Sequence, residues 1–492
     1  MQKRNALTTA PISKTLLLFA LPTLGSSVLQ SANGSINSIW VGRLIGENAL
    51  AATTNGNLVM FVLTAFVFGF GMAATIMIGQ AFGRGEVEVA RSIVGTTIGA
   101  FIPVAILVAI GGWFLAPSVL HLLGTPAEIQ SYALAFLRVT FVAMPAVLLL
   151  TVMMMALRGS GDSITPLWFM IMAVVLDITL NPILIQGMGP LPALGISGSA
   201  LAMAIANYLS LMAMLIYIYK RDLPLRLKGP ELRYIIPKFA TLRVLFAKGL
   251  PIGTQMVVVS ASMMAMMRMI NARGVDTTAA FGATQQLWTY VQMPAMALGA
   301  AVSAMAAQNI GAGKWDRVGQ ITRAGIVFNV LMTGGLVVLV SIIAPQVLGL
   351  FVGADSPAIP IGVHIINLAT WGFICFGVSM VLFGTIRANG QVIWPLIILF
   401  VSLFPVRMGF AYGMRGVLGD DALWFSFPAA MLATMVMAIA LYRSGFWRNA
   451  KSIIPDAIEK DAVPSEIAVT AEAASPVNPT APSPQSVPRI VD

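Results

Sequence analysis

"LRGSGDSITP" (residues 157–166) returns 229 positions later as "IRANGQVIWP" (386–395). Each copy closes one long apolar run with an arginine and a small, polar turn, then opens the next run at a proline. Four further landmarks keep almost the same offset. Pro22 pairs with Pro251, "GENALAA" (46–52) with "GVDTTAA" (274–280), "GQAFGRG" (79–85) with "AQNIGAG" (307–313), and Pro117 with Pro345. A near-constant shift of 228–229 over five landmarks means that the chain is built from two copies of one unit.

Composition says where that unit lives. Of 492 residues 58% are hydrophobic and 10% are charged, whereas soluble domains carry about 25% charge. Mean hydropathy is +0.87. This is an integral membrane protein whose first partner is the lipid bilayer. Twelve apolar runs can be read, at about 13–38, 52–79, 93–116, 128–157, 164–186, 195–219, 245–271, 276–306, 324–349, 361–385, 392–413 and 423–443. A bilayer needs roughly 20 residues per helix, so the longer runs should tilt or bend. The first run continues for a full span and is no cleavable signal. The expected fold is all-α, with twelve transmembrane helices in two six-helix lobes. Six is even, so the lobes run parallel and face each other across a central cleft.

Lysine and arginine sit in alternate loops. Lys3, Arg4 and Lys14 precede run 1, and Arg84 and Arg91 follow run 2. The loop after run 6 holds seven basic residues from Lys220 to Arg243, and Lys314, Arg317 and Arg323 follow run 8. The intervening "HLLGTPAE", "QGMGPLPALG" and "FVGADSPAIP" hold none. This bias places both termini in the cytoplasm. It also accounts for the net charge of +10 without a nucleic-acid partner. The expected organisation is a first lobe over 1–219, a basic cytoplasmic linker over 220–243, a second lobe over 244–445, and a tail over 446–492. The tail is rich in Ala, Pro, Ser and Glu and reads as disordered.

One carboxylic acid lies far from any loop. In "MAVVLDITLNPILI" (172–185) Asp177 sits near the middle of run 5, about 15 Å from either end at roughly 1.5 Å per residue. Burial there costs about 2.5–3.5 kcal/mol on insertion scales, and desolvation disfavours the charged form. Such a group can take a proton on one side and release it on the other. The plainer alternative is a protonated side chain that ties two helices. Asn181 is one turn on, and Pro182 leaves the carbonyl of Ile178 without its donor, so a bend is expected there and another at Pro22. Run 1 offers "QSANGSINS" (30–38), whose Gln30, Asn33 and Asn37 make an unusual polar stretch. If runs 1 and 5 pack together, Asn37 completes a pocket with Asp177, Asn181 and Thr179. In the second half the same places hold Pro405 or Val406 and Ala265 or Met266, so coupling chemistry belongs to the first lobe.

"LPTLGSSVLQSANGSINSIWVGRLIGENALAA" (21–52), "GQAFGRG", "ALRGSGDSITP" (156–166) and "LDITLNPILIQGMGPLPALGISGSALAMAIAN" (176–207), with "GLPIGTQM" (249–256), "AQNIGAG" and "IRANGQVIWP" in the second half, resemble the multidrug and toxic compound extrusion (MATE) family of cation-coupled antiporters. The resemblance spans about 13–445. It implies a V-shaped cleft between the lobes, export of organic cations and amphiphilic drugs, and a coupling-cation pocket between helices 1 and 5. It also implies a bacterial inner-membrane protein acting as a monomer with no cofactor. Relatives often carry an aspartate where this chain has Asn37, and an Asn-then-Asp order where this chain has Asp177 then Asn181. The acids some relatives carry in helices 7 and 10 are missing. The coupling ion is expected to be a proton, because one carboxylate is a thin cage for sodium, the alternative.

Cargo contacts are harder to read. Gln255, Gln285, Gln286 and Trp288 in runs 7 and 8 offer polar and aromatic contacts to a bulky ligand. Arg407 is deep in run 11 and either lines the cleft or snorkels outward. The thirty methionines suit an adaptable surface or plain core and lipid contact. A flippase for a lipid-linked precursor is the alternative function; it should line its cleft with several basic residues. No nucleophile–base pair suggests an enzyme, so no catalytic residue is expected. A single Cys375 and two distant histidines offer no metal site.

Overall fold

The computed structural model describes residues 6–187, 192–353, 355–449 and 453–454. A bilayer offers no water to backbone N–H and C=O groups, so each apolar run satisfies them internally as a helix. The described residues form α1 (Ala6–Thr9), α2 (Ile12–Leu44), α3 (Glu47–Arg84), α4 (Val87–Leu122), α5 (Ala127–Gly159), α6 (Ile164–Gln186) and α7 (Ile196–Lys220) in the first half. The second half contains α8 (Phe239–Asn271), α9 (Val275–Gly311), α10 (Trp315–Val352), α11 (Ala358–Ala369), α12 (Gly372–Ala388), α13 (Ile393–Val401), α14 (Arg407–Gly413), α15 (Arg415–Leu418) and α16 (Asp421–Ser444). Eleven segments are long and apolar enough to span a membrane, or twelve with α11 and α12 taken as one bent span. The twelve expected runs are all present, most helices outrunning their apolar stretch at one or both ends while α6 matches its run at Ile164–Gln186.

Three local features differ from the expected runs. The tenth span is not straight: α11 and α12 meet at 47°, where Gly372 lies so close to Pro428 that a Cβ there would touch its Cα at 2.8 Å. The eleventh is interrupted by a π turn at Ser402–Val406, around Pro405, whose missing N–H cannot make the α-helical bond to the carbonyl of Val401. Conversely, Pro22 and Pro182, the expected bend points, lie inside helices α2 and α6 that run on unbroken. The basic linker is docked rather than loose. Its 3-10 turn Gly229–Ile235 packs on α4, Arg91 pairs with Glu231 at 2.6 Å, and residues from 239 already belong to α8. Of the expected tail, Phe446–Asn449 and residues 453–454 are packed. Trp447 is fully buried, stacked on Tyr442, and its carbonyl accepts from Asn389 Nδ2 at 2.7 Å. Residues 450–452 and 455–492 of that tail lie outside the described residues.

The first lobe packs α2–α7 together, the second α8–α16. Between lobes α3 meets α8 and α9, and α2 meets α9. These contacts gather at the end that carries the basic loops. There one core joins Ile76, Met77 and Leu157 of the first lobe to Ala306, Ala307 and Ile386 of the second. Leu16, Phe19 and Ala20 likewise pack on Leu298, Val302 and Met305. At the other end the cores are separate: Phe101, Leu137 and Met144 in the first lobe, Phe281, Trp288 and Phe427 in the second. The lobes are joined at the basic end and diverge from it as a V-shaped cleft.

The seam repeats the symmetry of the sequence. Gln80 Nε2 donates to the carbonyl of Ala388, the last residue of α12, at 2.7 Å. Its counterpart Gln308 donates to the carbonyl of Gly159, the last residue of α5, at 3.0 Å. Each lobe thus satisfies a helix-end carbonyl of the other, a group with no partner within its own helix. Gly83 and Gly311 allow the approach: a Cβ on either would run into backbone of Gln308 or Gln80 respectively. Replacing either glutamine by methionine should leave a buried acceptor unpaired, at about 1–3 kcal/mol each. We expect Gln80→Met and Gln308→Met each to lower the Tm of the purified protein by several degrees. The exposed Gln285→Met should leave it unchanged. Equal Tm values for all three would show that the reciprocal caps do not hold the seam.

Candidate functional site

Asp177 is buried in α6, 2% exposed, with Asn181 one turn further on at 0%. Residues i and i+4 share a helix face, and this face meets α2. There Asn33 and Asn37, also one turn apart, reach across. Both amide nitrogens donate to Asp177 Oδ2, each at 2.7 Å. Asn181 Nδ2 donates to Asn37 Oδ1 at 3.0 Å and more weakly to Asp177 Oδ1 at 3.4 Å. One carboxyl group is held by three amides from two helices.

The expected pocket is therefore present in part. Asp177, Asn181 and Asn37 come together; Thr179 does not. It lies about 200° around the helix from Asp177 at about 100° per residue, is exposed, and spends its hydroxyl on the carbonyls of Val175 and Leu176. Asn33 belongs to the site although only Asn37 was singled out from its helix. The signal was its spacing of four from Asn37.

The pocket's polar inventory is unbalanced. Asn33 Oδ1 and Asn181 Oδ1 are buried and have no hydrogen-bond partner. Four amide N–H groups are used on the carboxylate and on Asn37, while two carbonyl acceptors remain without a partner. What is missing is a positive charge or a hydrogen: a proton on the carboxyl group, or a small cation among the oxygens. Among the described residues no group of three or more His, Cys, Asp or Glu could hold a resident metal.

The expected cargo residues do not form one surface. Gln255 is buried near the seam, where its Nε2 donates to the carbonyl of Val392 at 3.2 Å and its Oε1 accepts from Arg387. Trp288 is buried among Phe281, Phe373 and Phe427, and its Nε1 donates to Thr370 Oγ1 at 2.9 Å. Gln285 is exposed and Gln286 half-buried on the same helix. Arg407 does not snorkel. It is 5% exposed inside the second lobe.

Comparison with known proteins decides the family. The sequence profile described as MatE matches residues 22–183 and 251–413, one stretch in each lobe. The chain belongs to the MATE family. It is 34% identical to the probable multidrug resistance protein YoeA of Bacillus subtilis (strain 168), over 87% of this chain and 93% of that protein. It is 28% identical to a protein of Shewanella oneidensis named as an FAD transporter, over 71% of this chain and 77% of that one. Its fold is that of a multidrug resistance MATE family transporter solved in an outward-facing conformation, with TM-score 0.83, 19% identity and coverage of 93% and 99%. As a family member the chain is a membrane transporter and not an enzyme.

Hydrogen bonds to a charged group are worth about 1.5–3 kcal/mol, or roughly 10- to 100-fold in an equilibrium constant. Asn33→Ala removes a donor that favours the ionised carboxyl group, so it should shift the apparent affinity for the coupling ion at least tenfold in vesicle transport, towards tighter binding where that ion is a proton. Thr179→Val should stay within twofold. The reverse ranking would remove Asn33 from the pocket and return Thr179 to it.

Proposed function

We propose that this transporter exports organic cations and amphiphilic drugs against an inward flow of protons, and that Asp177 carries the proton. The observation that supports this reading most is the pair of unpartnered carbonyl oxygens beside Asp177. When the carboxyl group is ionised, three amides hold it and the Asn33 and Asn181 carbonyls are left over. When it is protonated, its O–H becomes a donor to one of those carbonyls while the other carboxyl oxygen still accepts. Both states can be accommodated by turning amides, which suits a group that must load and unload.

Orientation follows from the loops. Basic loops face the cytoplasm, so the joined end of the lobes is inside and the cleft opens outward. Asp177, Asn33 and Asn37 lie in the halves of α6 and α2 nearer the open end. A proton arriving from outside reaches the pocket before the seam has to part. The reading places the protein in the cytoplasmic membrane of a bacterium with both termini inside. The cargo class rests on the multidrug names of relatives such as YoeA. A lipid-linked precursor flippase is the weaker reading: it needs several cleft cations for phosphate, and Arg407 is packed within one lobe.

The test is export of a fluorescent organic cation, read as its accumulation inside energised everted vesicles, with and without a pH gradient and with and without sodium. Asp177→Asn, at matched expression, should abolish gradient-driven efflux, a fall of at least tenfold, because it keeps the shape and removes the titrating group. Wild-type efflux should follow the pH gradient and ignore sodium. Dependence on sodium alone would make the same oxygens a sodium site. An Asp177→Asn variant as active as wild type would leave the aspartate a structural tie.

A further inference from the structure

The offset between the halves sets Ser262 opposite Asn33 and brings Arg407 within one position of the counterpart of Asp177. The second lobe thus has its own buried polar spot at the place of the coupling pocket, with the opposite charge. Arg407 stands at the first turn of α14, directly after the π turn. Its guanidinium lies over the ring of Phe427 on α16, 3.7 Å from the centroid. Its polar contacts are Nη1 to Ser262 Oγ at 3.4 Å and Nη2 to the sulfur of Met263 at 3.9 Å, both long. The Arg407 Nε–H is buried with no partner.

No described carboxylate pairs with this cation. In this half Asp420 bonds Arg273 and Asp421 bonds His364, both at the far end of the lobe, and Asp276 and Asp316 are first-turn residues of α9 and α10. Taking an unpaired ion out of water costs several kcal/mol, and a ring face and a thioether return only part of it. A second donor waits beside it. Ser402 is fully buried and its hydroxyl has no partner, although a helical serine ordinarily bonds the carbonyl one turn back. Ser402 and Arg407 are five apart, the spacing that the π turn brings onto one face. Ser262 gives its own proton to the carbonyl of Leu403 at 3.1 Å. The spot is rich in unused N–H and O–H donors and holds no anion to receive them.

We propose that Arg407 Nε–H and the Ser402 hydroxyl, with Ser262 holding the guanidinium in place, form a seat for a small monovalent anion: a carboxylate carried by the cargo, or a free halide. The guanidinium fork matches a carboxylate bidentately, and Nε supplies one prong. The seat goes beyond the coupling reading and does not depend on it, because it uses no residue of the Asp177 pocket. If the anion comes with the cargo, the transporter accepts zwitterions, with a cationic part in the cleft and an acidic group at Arg407.

The experiment uses the full chain in lipid nanodiscs. Tm is followed while sodium bromide or sodium acetate is titrated in at constant ionic strength held by sodium sulfate. A saturable rise is expected with at least one of the two. Arg407→Gln should raise the half-saturating concentration at least tenfold, Ser402→Ala should raise it several-fold, and Asp177→Asn should not change it. Saturation by bromide alone identifies a halide seat. Saturation by acetate identifies carboxylate recognition, and then efflux of rhodamine 110, which has a free carboxylate, should fall in Arg407→Gln while efflux of its methyl ester, rhodamine 123, should not. If Arg407→Gln does not fold, Arg407→Lys and Ser402→Ala carry the comparison, since both keep the bulk and lose donors of the seat. The proposal is overturned if wild type shows no saturable shift with either salt, or if the shift is the same in the folded variants.

Discussion

A carbonyl at the end of a helix, pressed against another helix where water is scarce, must find a donor or cost the fold its desolvation. Here two such carbonyls, at Gly159 and Ala388, are served by Gln80 and Gln308 from opposite lobes. The exchange fixes which ends of the lobes touch. Glutamine caps need backbones in close approach, and Gly83 and Gly311 permit that approach only beside the caps. Further along the same helices each lobe keeps its own core. A cleft at the other end is the geometrical consequence. The seam combines these two caps with a shared hydrophobic core, in which Ile76, Met77 and Leu157 meet Ala306, Ala307 and Ile386.

Two copies of one unit can diverge wherever the shared backbone does not need a particular side chain. The seam residues stayed alike, because each depends on its twin. The mid-lobe residues did not. Asn33 and Asp177 in the first lobe face Ser262 and Arg407 in the second, acid with amides against base with hydroxyls. The same helix crossing supports either charge. What it does not support is a charge with no complement, and both spots show buried polar atoms still unpaired.

The lobes, their number of spans and the burial of Asp177 were legible because they rest on one-dimensional signals: hydropathy, a constant offset, and a lone acid in an apolar run. The errors have a common physical origin. Thr179 was grouped with Asp177 by nearness in sequence, while the helix turns it away. Gln255 and Trp288 were read as cleft-facing because they are polar or aromatic in an apolar run, yet each is spent on satisfying a neighbouring helix. Hydropathy does not distinguish a polar group facing a cleft from one buried between helices. Trp447 was assigned to the tail because its neighbours are polar; its indole stacks on Tyr442 and fills a gap under the second lobe. The π turn arises at Pro405, which hydropathy did not single out, while Pro22 and Pro182 lie within continuous helices.

Coupling requires that loading the pocket favour one arrangement of the lobes over another, since a ligand shifts an equilibrium only by its difference in affinity for the two states. Helix α2 is the element that can transmit such a difference. Its first turns pack Leu16, Phe19 and Ala20 into the seam against the second lobe, and its later turns hold Asn33 and Asn37 on Asp177. From Phe19 to Asn33 is about 21 Å along the helix at roughly 1.5 Å per residue. Pro22 lies between, where the backbone lacks one hydrogen bond and yields most easily. Protonating Asp177 weakens the pull of two amides on the carboxylate and so loosens the grip of α6 on the outer half of α2. A shift of that half about Pro22 is felt in the seam. Under the proposed coupling, the acid would not have to touch cargo to govern which side of the membrane the cleft faces.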